Sequence, residues 1–330
     1  MNKFDRIQQL ITMMSYKRPA YSASEKAFAD RFLLPVFGNP DRFGNFIHIV
    51  GDQPDVLFAA HYDTVHKTEG MQGVTMDHAT GMMTKTSFDG ECLGADCTTG
   101  VWLQLNMIEA GVEGVYVCHA AEEIGGIGSR GIVNSWVDFQ NRDSNINAYP
   151  WLDYIDAVIS FDRLGTTSVV THQTGERTCS DIFGYSLIDL LSGQWNLELD
   201  KHGVYTDSME YAEIVPECTN ISVGYYQQHT SKETQDVFFA LTLLEKLKEA
   251  DWGRLEIERE PTPLSIWNEP EELDMDAKEM MEIEAIERLI TDHPKRLAEM
   301  LFELNLDVEI LIEHLDLDYF KVDQYRRNFH

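Results

Sequence analysis

Histidine and acidic residues follow several apolar segments of this chain, where they could bind metal ions. His61 and Asp63 stand at the end of VLFAAHYDTVH (56–66), with one residue between them. Charges at the rim of a buried segment are costly unless something binds them. Comparable residues follow or precede other segments: Glu122 and Glu123, Asp162, His229 and Asp96. Together these residues are candidates for a site that carries out chemistry.

The donor set combines two imidazoles with carboxylates and contains no cysteine pair. Such nitrogen and oxygen donors suit zinc, or alternatively manganese or cobalt, in an open catalytic site. One shared carboxylate can hold two such ions about 3.5–4 Å apart, and both ions can bind the same water or hydroxide. A free carboxylate beside the pair could act as general base. The residues therefore predict two-metal hydrolysis with a bridging water as the nucleophile.

The segments that must position these residues alternate between strands and helices. Apolar runs with branched residues predict strands at 46–51, 55–65, 114–123, 156–162 and 219–226. Helical spacing predicts helices at 3–16, 23–37, 98–111, 186–195 and 234–250. This alternation predicts an α/β fold, with a mostly parallel central sheet in three αβα layers. The candidate residues fall beyond the carboxyl ends of the strands, where such sheets bind ligands.

The last quarter of the chain has a different composition. Residues 251–330 hold 22 acidic and 9 basic residues, a net charge of -13. The three prolines of REPTPLSIWNEPEE (259–272) indicate a linker. We predict a metallopeptidase-like catalytic domain over 1–250, a linker over 251–272 and an acidic helical accessory region over 273–330. The apolar stripe of that small C-terminal helical extension fits its own bundle core, or a surface for a homo-oligomer or protein partner.

Charge and cysteine content exclude several classes of protein. The net charge of -30 argues against unspecific binding to nucleic acid or to an anionic membrane, since both are anionic themselves. The first residues lack a signal-peptide pattern, and no apolar run reaches about 18 residues. Five cysteines without a C-x-x-C pair indicate reduced, mostly buried thiols. We therefore expect a cytoplasmic protein.

At the candidate residues the chain resembles the dizinc exopeptidases, which include bacterial leucyl aminopeptidases, tripeptidase T and glutamate-type zinc carboxypeptidases. The resemblance is carried by HYDTV, LGADCTTG, AEEIGG, SFD and YYQQHTSKE, which occur in the family's order between about residues 20 and 250. It implies the zinc-peptidase fold, two bound divalent ions and a peptide substrate. The activity that it implies is metal-dependent hydrolysis of peptide bonds.

The resemblance also implies a role for each candidate residue. The implied ligands are Asp96 as the bridge between two ions, His61 and Asp162 on one ion, and Glu123 and His229 on the other. Glu122 is implied as the general base. Asp63 is implied as the carboxylate that orients His61 through its second ring nitrogen.

The chain departs from the family pattern at one residue and in one segment, and the spacing of its ligands narrows the expected activity. Cys97 follows Asp96, where the family often has a second aspartate. Residues 134–151 read as an inserted loop near the site. Asp162 and His229 are only 67 positions apart, which leaves no room for the lid domain of carboxypeptidase-like members. The spacing favours the lidless aminopeptidase-like branch, and hence removal of N-terminal residues from peptides.

Other interpretations of the sequence stay open. The metal site could serve a zinc carboxypeptidase or an N-acyl amino acid or peptide deacylase. Alternatively, the acidic tail could be the working part of a binding or assembly module with a peptidase-like scaffold. Arg163 could meet a substrate carboxylate, but we favour a structural salt bridge. Asp207 could lie near the substrate, but we favour a helix capping box formed with Glu210.

Overall fold

The computed structural model describes residues 1–141, 146–191 and 196–262. The predicted linker beyond residue 262 and the predicted accessory helices therefore lie outside the described residues. Within the described ranges, no helix is long and apolar enough to cross a bilayer. The five cysteines are buried and unpaired, as predicted. The cytoplasmic location stays a prediction.

The described strands are numbered in chain order. They are β1 (Tyr16–Lys17), β2 (Phe46–Val50), β3 (Val56–His61), β4 (Gly70–Met71), β5 (Val74–Met76), β6 (Met82–Lys85), β7 (Gly114–His119), β8 (Ala157–Arg163), β9 (Ser168–Val170), β10 (His172–Gln173), β11 (Glu176–Arg177), β12 (Glu198–Asp200), β13 (Glu217–Ser222), β14 (Tyr225–Tyr226) and β15 (Thr234–Asp236).

The described helices alternate with these strands. They are α1 (Lys3–Met14), α2 (Ala23–Phe28), α3 (Leu34–Phe37), α4 (Ala95–Ala110), α5 (Ile127–Gln140), α6 (Asp181–Leu191), α7 (Asp207–Glu210) and α8 (Val237–Glu249). A π-helical segment, Ala29–Leu33, joins α2 to α3, and two short 3-10 helices span Pro150–Tyr154 and Trp252–Arg254.

Seven strands form the central sheet in the order β12-β9-β13-β8-β3-β7-β2 among the described residues. The four strands β13, β8, β3 and β7 are mutually parallel, and β2 runs antiparallel at one edge. In this register His61 at the end of β3 lies opposite His119 at the end of β7. The carboxyl ends of β3, β7 and β8 therefore meet at one edge of the sheet, as predicted.

Both faces of the sheet are buried, because helices cover both of them. Successive side chains of a strand point to opposite faces, so each strand contributes to both cores. On β3, Phe58 belongs to the hydrophobic cluster on one face and Leu57 to the cluster on the other. Helices α1, α4 and α8 lie with the first cluster, and α5 and α7 with the second. This arrangement confirms the predicted three-layer αβα fold with a mostly parallel sheet.

Helix α4 lies close to the sheet because Gly100 has no side chain. A Cβ at this position would stand 2.4 Å from the carbonyl oxygen of Phe161 in β8 and 3.1 Å from the Cβ of Ala60 in β3. Glycine therefore lets the helix that carries Asp96 approach the strand ends closely.

The predicted strand at 219–226 is in fact two strands. It divides into β13 and β14, which belong to different sheets, and β14 joins a smaller antiparallel sheet of order β14-β15-β6-β5. The chain changes direction at Gly224, whose φ of +94° favours glycine. The same small sheet takes up residues 234–236, so the last predicted helix begins at Val237, behind the cap residue Asp236.

The predicted inserted loop over 134–151 is wrong for its first half. Helix α5 continues to Gln140, and Pro150 already begins a 3-10 helix. Partly buried Trp136 packs against the core and donates from its indole nitrogen to Asp153 (2.7 Å), which favours the helix. Helix α6 also begins at Asp181, earlier than predicted, because the Ser180 hydroxyl accepts a hydrogen bond from the Phe183 amide (3.0 Å).

Candidate metal centre

His61 and Asp63 lie in the interior at the end of β3. The Nδ1 atom of His61 is 3.2 Å from the carbonyl oxygen and 3.4 Å from the Oδ1 atom of Asp63. The carboxylate of Asp63 also accepts hydrogen bonds from the backbone amides of Glu122 and Glu123, both at 3.1 Å. Asp63 therefore connects the end of β3 to the loop after β7, and its carboxylate faces the Nδ1 atom of His61.

A buried arginine, Arg18, holds the end of β3 in place through hydrogen bonds. Arg18 is fully buried and donates to the carbonyl oxygens of Tyr62 (2.8 Å) and Met13 (3.2 Å) and to the Thr98 hydroxyl (2.7 Å). It therefore joins the end of β3 to helix α4. No local sequence pattern singled out Arg18, because Tyr62 and Thr98 are distant from it in the chain.

Asp96 stands at the start of α4, between the two imidazoles. Its Oδ1 atom is 2.9 Å from Nε2 of His61, and its Oδ2 atom is 3.0 Å from Nε2 of His229. The side-chain amide of Gln228 also donates to Oδ2, at 2.5 Å. One carboxylate thus reaches both histidines, which is the placement that a bridging ligand needs.

Glu123 and Asp162 complete the group. The Oε1 atom of Glu123 is 3.4 Å from Nε2 of His229, and the Oδ1 atom of Asp162 is 3.5 Å from Nε2 of His61. Both oxygens are buried and accept no hydrogen bond, although buried polar atoms usually have partners. A divalent cation would satisfy them, so the residues present fit the metal ions that the resemblance implied.

The pKa shifts of these side chains also favour bound cations. The carboxylates of Asp96 and Glu123 raise the pKa of His229 to about 10. Burial raises the pKa values of Glu123 and Asp162, because it penalises their charged forms. Four carboxylates gathered around two imidazoles leave an excess of negative charge that bound cations would compensate.

Glu122 lies at the edge of the group. Its Oε2 atom is 4.0 Å from Nε2 of His61, and the residue lines the cleft above the cluster. Burial raises the pKa of Glu122, and the nearby His61 opposes that shift. The structure therefore brings all seven predicted residues to one edge of the sheet, with Glu122 beside the five expected ligands and Asp63 behind them.

Glu233 is a further residue of this site, which the sequence analysis missed. Its Oε2 atom accepts from the amides of Gly94 (2.5 Å) and Ala95 (3.2 Å) at the start of α4, and Oε1 accepts from the His229 amide (3.4 Å). The Glu233 side chain is 2% exposed. Glu233 thereby holds the backbone beside Asp96 and His229 together. Its position four residues after His229 was the only available signal.

The capping box predicted at Asp207 is wrong. The residue that precedes α7 is Thr206, and its hydroxyl donates to Oδ2 of Asp162 (2.7 Å). Asp207 is the first residue of the helix and is buried, while Glu210 accepts from Tyr205 (2.8 Å) instead. Burial of the helix start against the site overrides the local pattern.

A cleft of about 300 Å³ opens above the cluster. It is lined by Asp96, Glu122, Glu123, Gly125, Asp162, Arg163, Leu164, Val204, Tyr205, Asn220, Gln228 and His229. Arg163 forms a salt bridge with Asp200 (2.8 Å), as the favoured interpretation predicted. Cys97 lies beneath the cleft, where its thiol donates to the carbonyl oxygen of Phe161 (2.9 Å).

Comparison with known proteins gives similarity at the level of structure. No protein-family model matches the chain. No curated protein matches it either. A tripeptidase from Staphylococcus aureus is similar with a TM-score of 0.54 and 11% identity, over 78% of this chain and 100% of that chain.

Two further solved structures are similar to this chain. Aminopeptidase PepT from Bacillus cereus gives a TM-score of 0.50 at 12% identity, over 76% of this chain and 98% of that chain. The Pyrococcus horikoshii TET1 peptidase gives a TM-score of 0.50 at 13% identity, over 76% of this chain and 100% of that chain. That peptidase can assemble into a tetrahedron or a large octahedral shell. This chain therefore has the fold of these peptidase structures, the fold that its resemblance to the dizinc exopeptidases implied.

Proposed function

We propose that this chain is a metal-dependent exopeptidase that removes N-terminal residues from peptides. One observation carries the proposal: the Asp96 carboxylate reaches both His61 (2.9 Å) and His229 (3.0 Å), with unpartnered oxygens of Glu123 and Asp162 beside them. Isolated carboxylates and imidazoles are common in proteins, but the convergence of two imidazoles and three carboxylates on one point is typical of a metal centre.

The proposed ligands divide between two divalent ions. His61 and Asp162 would hold one ion, Glu123 and His229 the other, and Asp96 both. Zinc suits this mixture of nitrogen and oxygen donors, and manganese and cobalt are alternatives. When bound, such ions polarise a peptide carbonyl and lower the pKa of a water molecule.

The protein's own residues would move the proton. Glu122, at the edge of the cluster, would take a proton from the attacking water and deliver it to the amine when the carbon–nitrogen bond breaks. Burial raises the pKa of Glu122, which suits a residue that must both accept and donate. Asp63 accepts a hydrogen bond from the Glu122 amide (3.1 Å) and faces Nδ1 of His61 (3.4 Å). It would therefore fix the position of the general base Glu122 relative to the metal ligand His61.

Three features favour cleavage at the N-terminus. The similar structures include an aminopeptidase and a tripeptidase. In the described residues between Asp162 and His229, the chain forms strands and helices of the catalytic fold and no separate lid. The carboxylates of Glu122 and Glu123 face the cleft, where they could attract a peptide ammonium group.

We also propose that the chain forms a homo-oligomer. The support is the similarity to the Pyrococcus horikoshii TET1 peptidase, which assembles into closed shells. Sedimentation of the full chain should show a species larger than 37.8 kDa, and a monomer at all concentrations would contradict this part of the proposal.

Metal analysis and a glutamine variant test the activity. Purified protein should contain close to two transition metals per chain and hydrolyse aminoacyl substrates. The variant Glu122→Gln should lose about 10²- to 10⁴-fold in kcat but retain its metal. Glu249→Gln, an exposed residue at the end of α8, is the matched control and should be fully active.

Two results would contradict the proposal. One is hydrolysis that survives complete chelation of metal, and the other is full activity of the Glu122→Gln variant. A clear preference for N-acylated over free-amine peptides would instead indicate a deacylase.

A further inference from the structure

We infer that Gln228 is a further ligand of the second metal ion, through its side-chain amide oxygen, and that it raises the affinity of this position for manganese relative to zinc. The second ion is the one that Glu123 and His229 would hold together with Asp96. The inference rests on the proposed function, because it concerns the same pair of ions. It adds a neutral oxygen donor to the five ligands that the resemblance implied.

The Gln228 amide lies among the side-chain atoms that would hold the second ion. Its Nε2 atom is 2.5 Å from Oδ2 of Asp96 and 3.5 Å from Nε2 of His229. The expected ligands Asp96 and His229 are themselves 3.0 Å apart at these atoms, and Oε1 of Glu123 is 3.4 Å from the same His229 nitrogen. The amide group is therefore about as close to these ligands as they are to one another.

The backbone brings the side chains of two consecutive residues to one carboxylate. In an extended strand, neighbouring side chains point to opposite faces. Here Gln227 and His229 both have positive φ (+56° and +60°), which is uncommon for residues other than glycine. The amide and the hydroxyl of Thr230 hold this turn by donating to the carbonyl oxygen of Gln227 (3.2 and 2.7 Å). Such conformations are costly and cluster at functional sites, so the approach of both Gln228 and His229 to Asp96 indicates a function for both side chains.

An amide group can bind a cation only through its oxygen. The Nε2 atom of glutamine offers two donors and no free lone pair, whereas Oε1 offers two lone pairs. The last torsion angle of glutamine has a broad, roughly two-fold distribution, so a half-turn of the amide exchanges the two atoms at little cost. When Asp96 holds a cation at this position, the orientation with Oε1 of Gln228 toward the cation is therefore favoured.

The second position is open to the cleft, which leaves room for a further ligand. The His61 side chain is 1% exposed, whereas the His229 side chain is 42% exposed. Gln228 is half-buried and lines the cleft together with His229. The first ion would therefore be enclosed by the interior, and the second would face the cleft, where Gln228 can complete its set of ligands.

The type of donor indicates which ion gains most from Gln228. Carbonyl and carboxylate oxygens suit manganese, which favours an octahedral set of ligands, whereas zinc is usually bound by four. Gln228 adds an oxygen without adding another negative charge to the four carboxylates. Loss of the amide should therefore weaken Mn²⁺ binding more than Zn²⁺ binding.

Calorimetric titration of the chelated full chain with Mn²⁺ and with Zn²⁺ tests the inference. Gln228→Leu removes the amide but keeps an apolar side chain of similar size, and it should weaken binding of the second Mn²⁺ by about 10-fold or more. The loss for Zn²⁺ should be clearly smaller. Gln227→Leu is the matched control, because it makes the same change at an exposed neighbour that does not line the cleft. It should keep the wild-type affinity for both metals.

Absorption by bound Co²⁺ separates a ligand from a residue that only orients Asp96. The visible bands of Co²⁺ intensify as the number of its ligands falls, so Gln228→Leu loaded with Co²⁺ should absorb more strongly than the wild type. Equal Mn²⁺ affinity in wild type and Gln228→Leu would overturn the inference. Weaker binding with an unchanged Co²⁺ spectrum would also overturn it, since that result indicates that the amide only positions Asp96.

The metal measurements also separate this inference from the proposed function. Two bound ions, an affinity that depends on Gln228 and no peptide hydrolysis would keep Gln228 as a ligand but refute the exopeptidase. Two bound ions, peptide hydrolysis and no effect of Gln228→Leu would keep the exopeptidase but refute the ligand. A wild type that binds no divalent metal would refute both.

Discussion

The Oδ2 atom of Asp207 lies 3.4 Å from Nδ1 of His119, and both side chains are buried. Neither oxygen of Asp207 accepts a hydrogen bond, and Nε2 of His119 pairs with the Tyr211 hydroxyl (2.8 Å). Burial raises the pKa of Asp207 to about 7 and lowers the pKa of His119 to about 3. Between about pH 4 and 6.5 the folded pair holds one proton, on Asp207, and the unfolded pair also holds one, on His119. The two contributions to the pH dependence of stability therefore cancel in the wild type.

The variant His119→Gln should expose the contribution of Asp207. Because folding raises the pKa of this carboxyl, its stabilising effect is complete below about pH 4 and is lost as the pH rises toward 7. We expect the free energy of unfolding of the variant, relative to wild type, to fall by roughly 2–3 kcal/mol between pH 4.5 and 6.5. Urea unfolding at several pH values measures this slope.

The variant Asp207→Asn should show the opposite slope. His119 stays neutral in the fold, because burial lowers its pKa to about 3, whereas in the unfolded chain it takes up a proton below about pH 6.5. The stability of this variant, relative to wild type, should therefore fall as the pH decreases from 6.5 to 4.5. Variants whose pH profiles run parallel to the wild-type profile would contradict both predictions.

Glu233→Gln should weaken metal binding. In the wild type one carboxylate oxygen accepts from Gly94 and Ala95 and the other accepts from His229. The glutamine amide keeps one acceptor oxygen and turns an NH2 group toward the remaining backbone N–H, so the backbone beside one of the two proposed ligands loses its acceptor. Residues that support ligands in this way typically contribute 10- to 100-fold to metal affinity, and we expect a loss of about that size. Calorimetric titration of the metal-free protein with Zn²⁺ or Mn²⁺ gives the affinity.

Glu217→Gln is the control for this prediction. Glu217 is also a buried glutamate that accepts backbone hydrogen bonds, from Ser180 (2.7 Å), Glu258 (2.9 Å) and Arg259 (2.8 Å), but it lies away from the cleft. This variant should lose stability while it keeps the metal affinity of the wild type. Equal metal affinity in wild type and Glu233→Gln would contradict the role given to Glu233.

Gly100→Ala should push α4 away from the sheet. The new Cβ would meet the carbonyl oxygen of Phe161 at 2.4 Å, and backbone atoms cannot rotate away as a side chain can. We expect a loss of about 1–3 kcal/mol in the free energy of unfolding, together with weaker metal binding, because α4 carries Asp96. Gly253→Ala has open space around its Cβ (nearest atom 3.7 Å) and should change stability by less than about 0.5 kcal/mol.

Removal of metal should lower the melting temperature. The unfolded chain does not gather the carboxylates around His61 and His229, so ions that bind the folded state stabilise it, by about 2.7 kcal/mol at a hundredfold excess over Kd. Adding Zn²⁺ to the chelated wild type should raise Tm. Asp96→Asn should abolish the increase, whereas Asp181→Asn, a surface variant, should keep it. An equal increase in Asp96→Asn would contradict the role of Asp96.

The sequence by itself determined which residues meet at the carboxyl edge of the sheet. His61, Glu122 and Asp162 each follow an apolar strand, and parallel strands deliver their carboxyl ends to one edge, so the chain pattern was sufficient. The layered α/β fold followed from the same alternation. Some segment boundaries were predicted wrongly from the sequence. At 134–151 and 207–210, burial against the core decided the structure and overrode the local pattern.

Only the tertiary structure decided how these residues are held. The contacts of Arg18 with Thr98, and of Glu233 with Gly94, join positions that are 80 and 139 residues apart. No local pattern encodes such pairs, because they depend on the close approach of α4 to the sheet at Gly100. The buried pair of His119 and Asp207 likewise exists only because burial, rather than sequence spacing, brings two polar side chains together and sets which of them carries the proton.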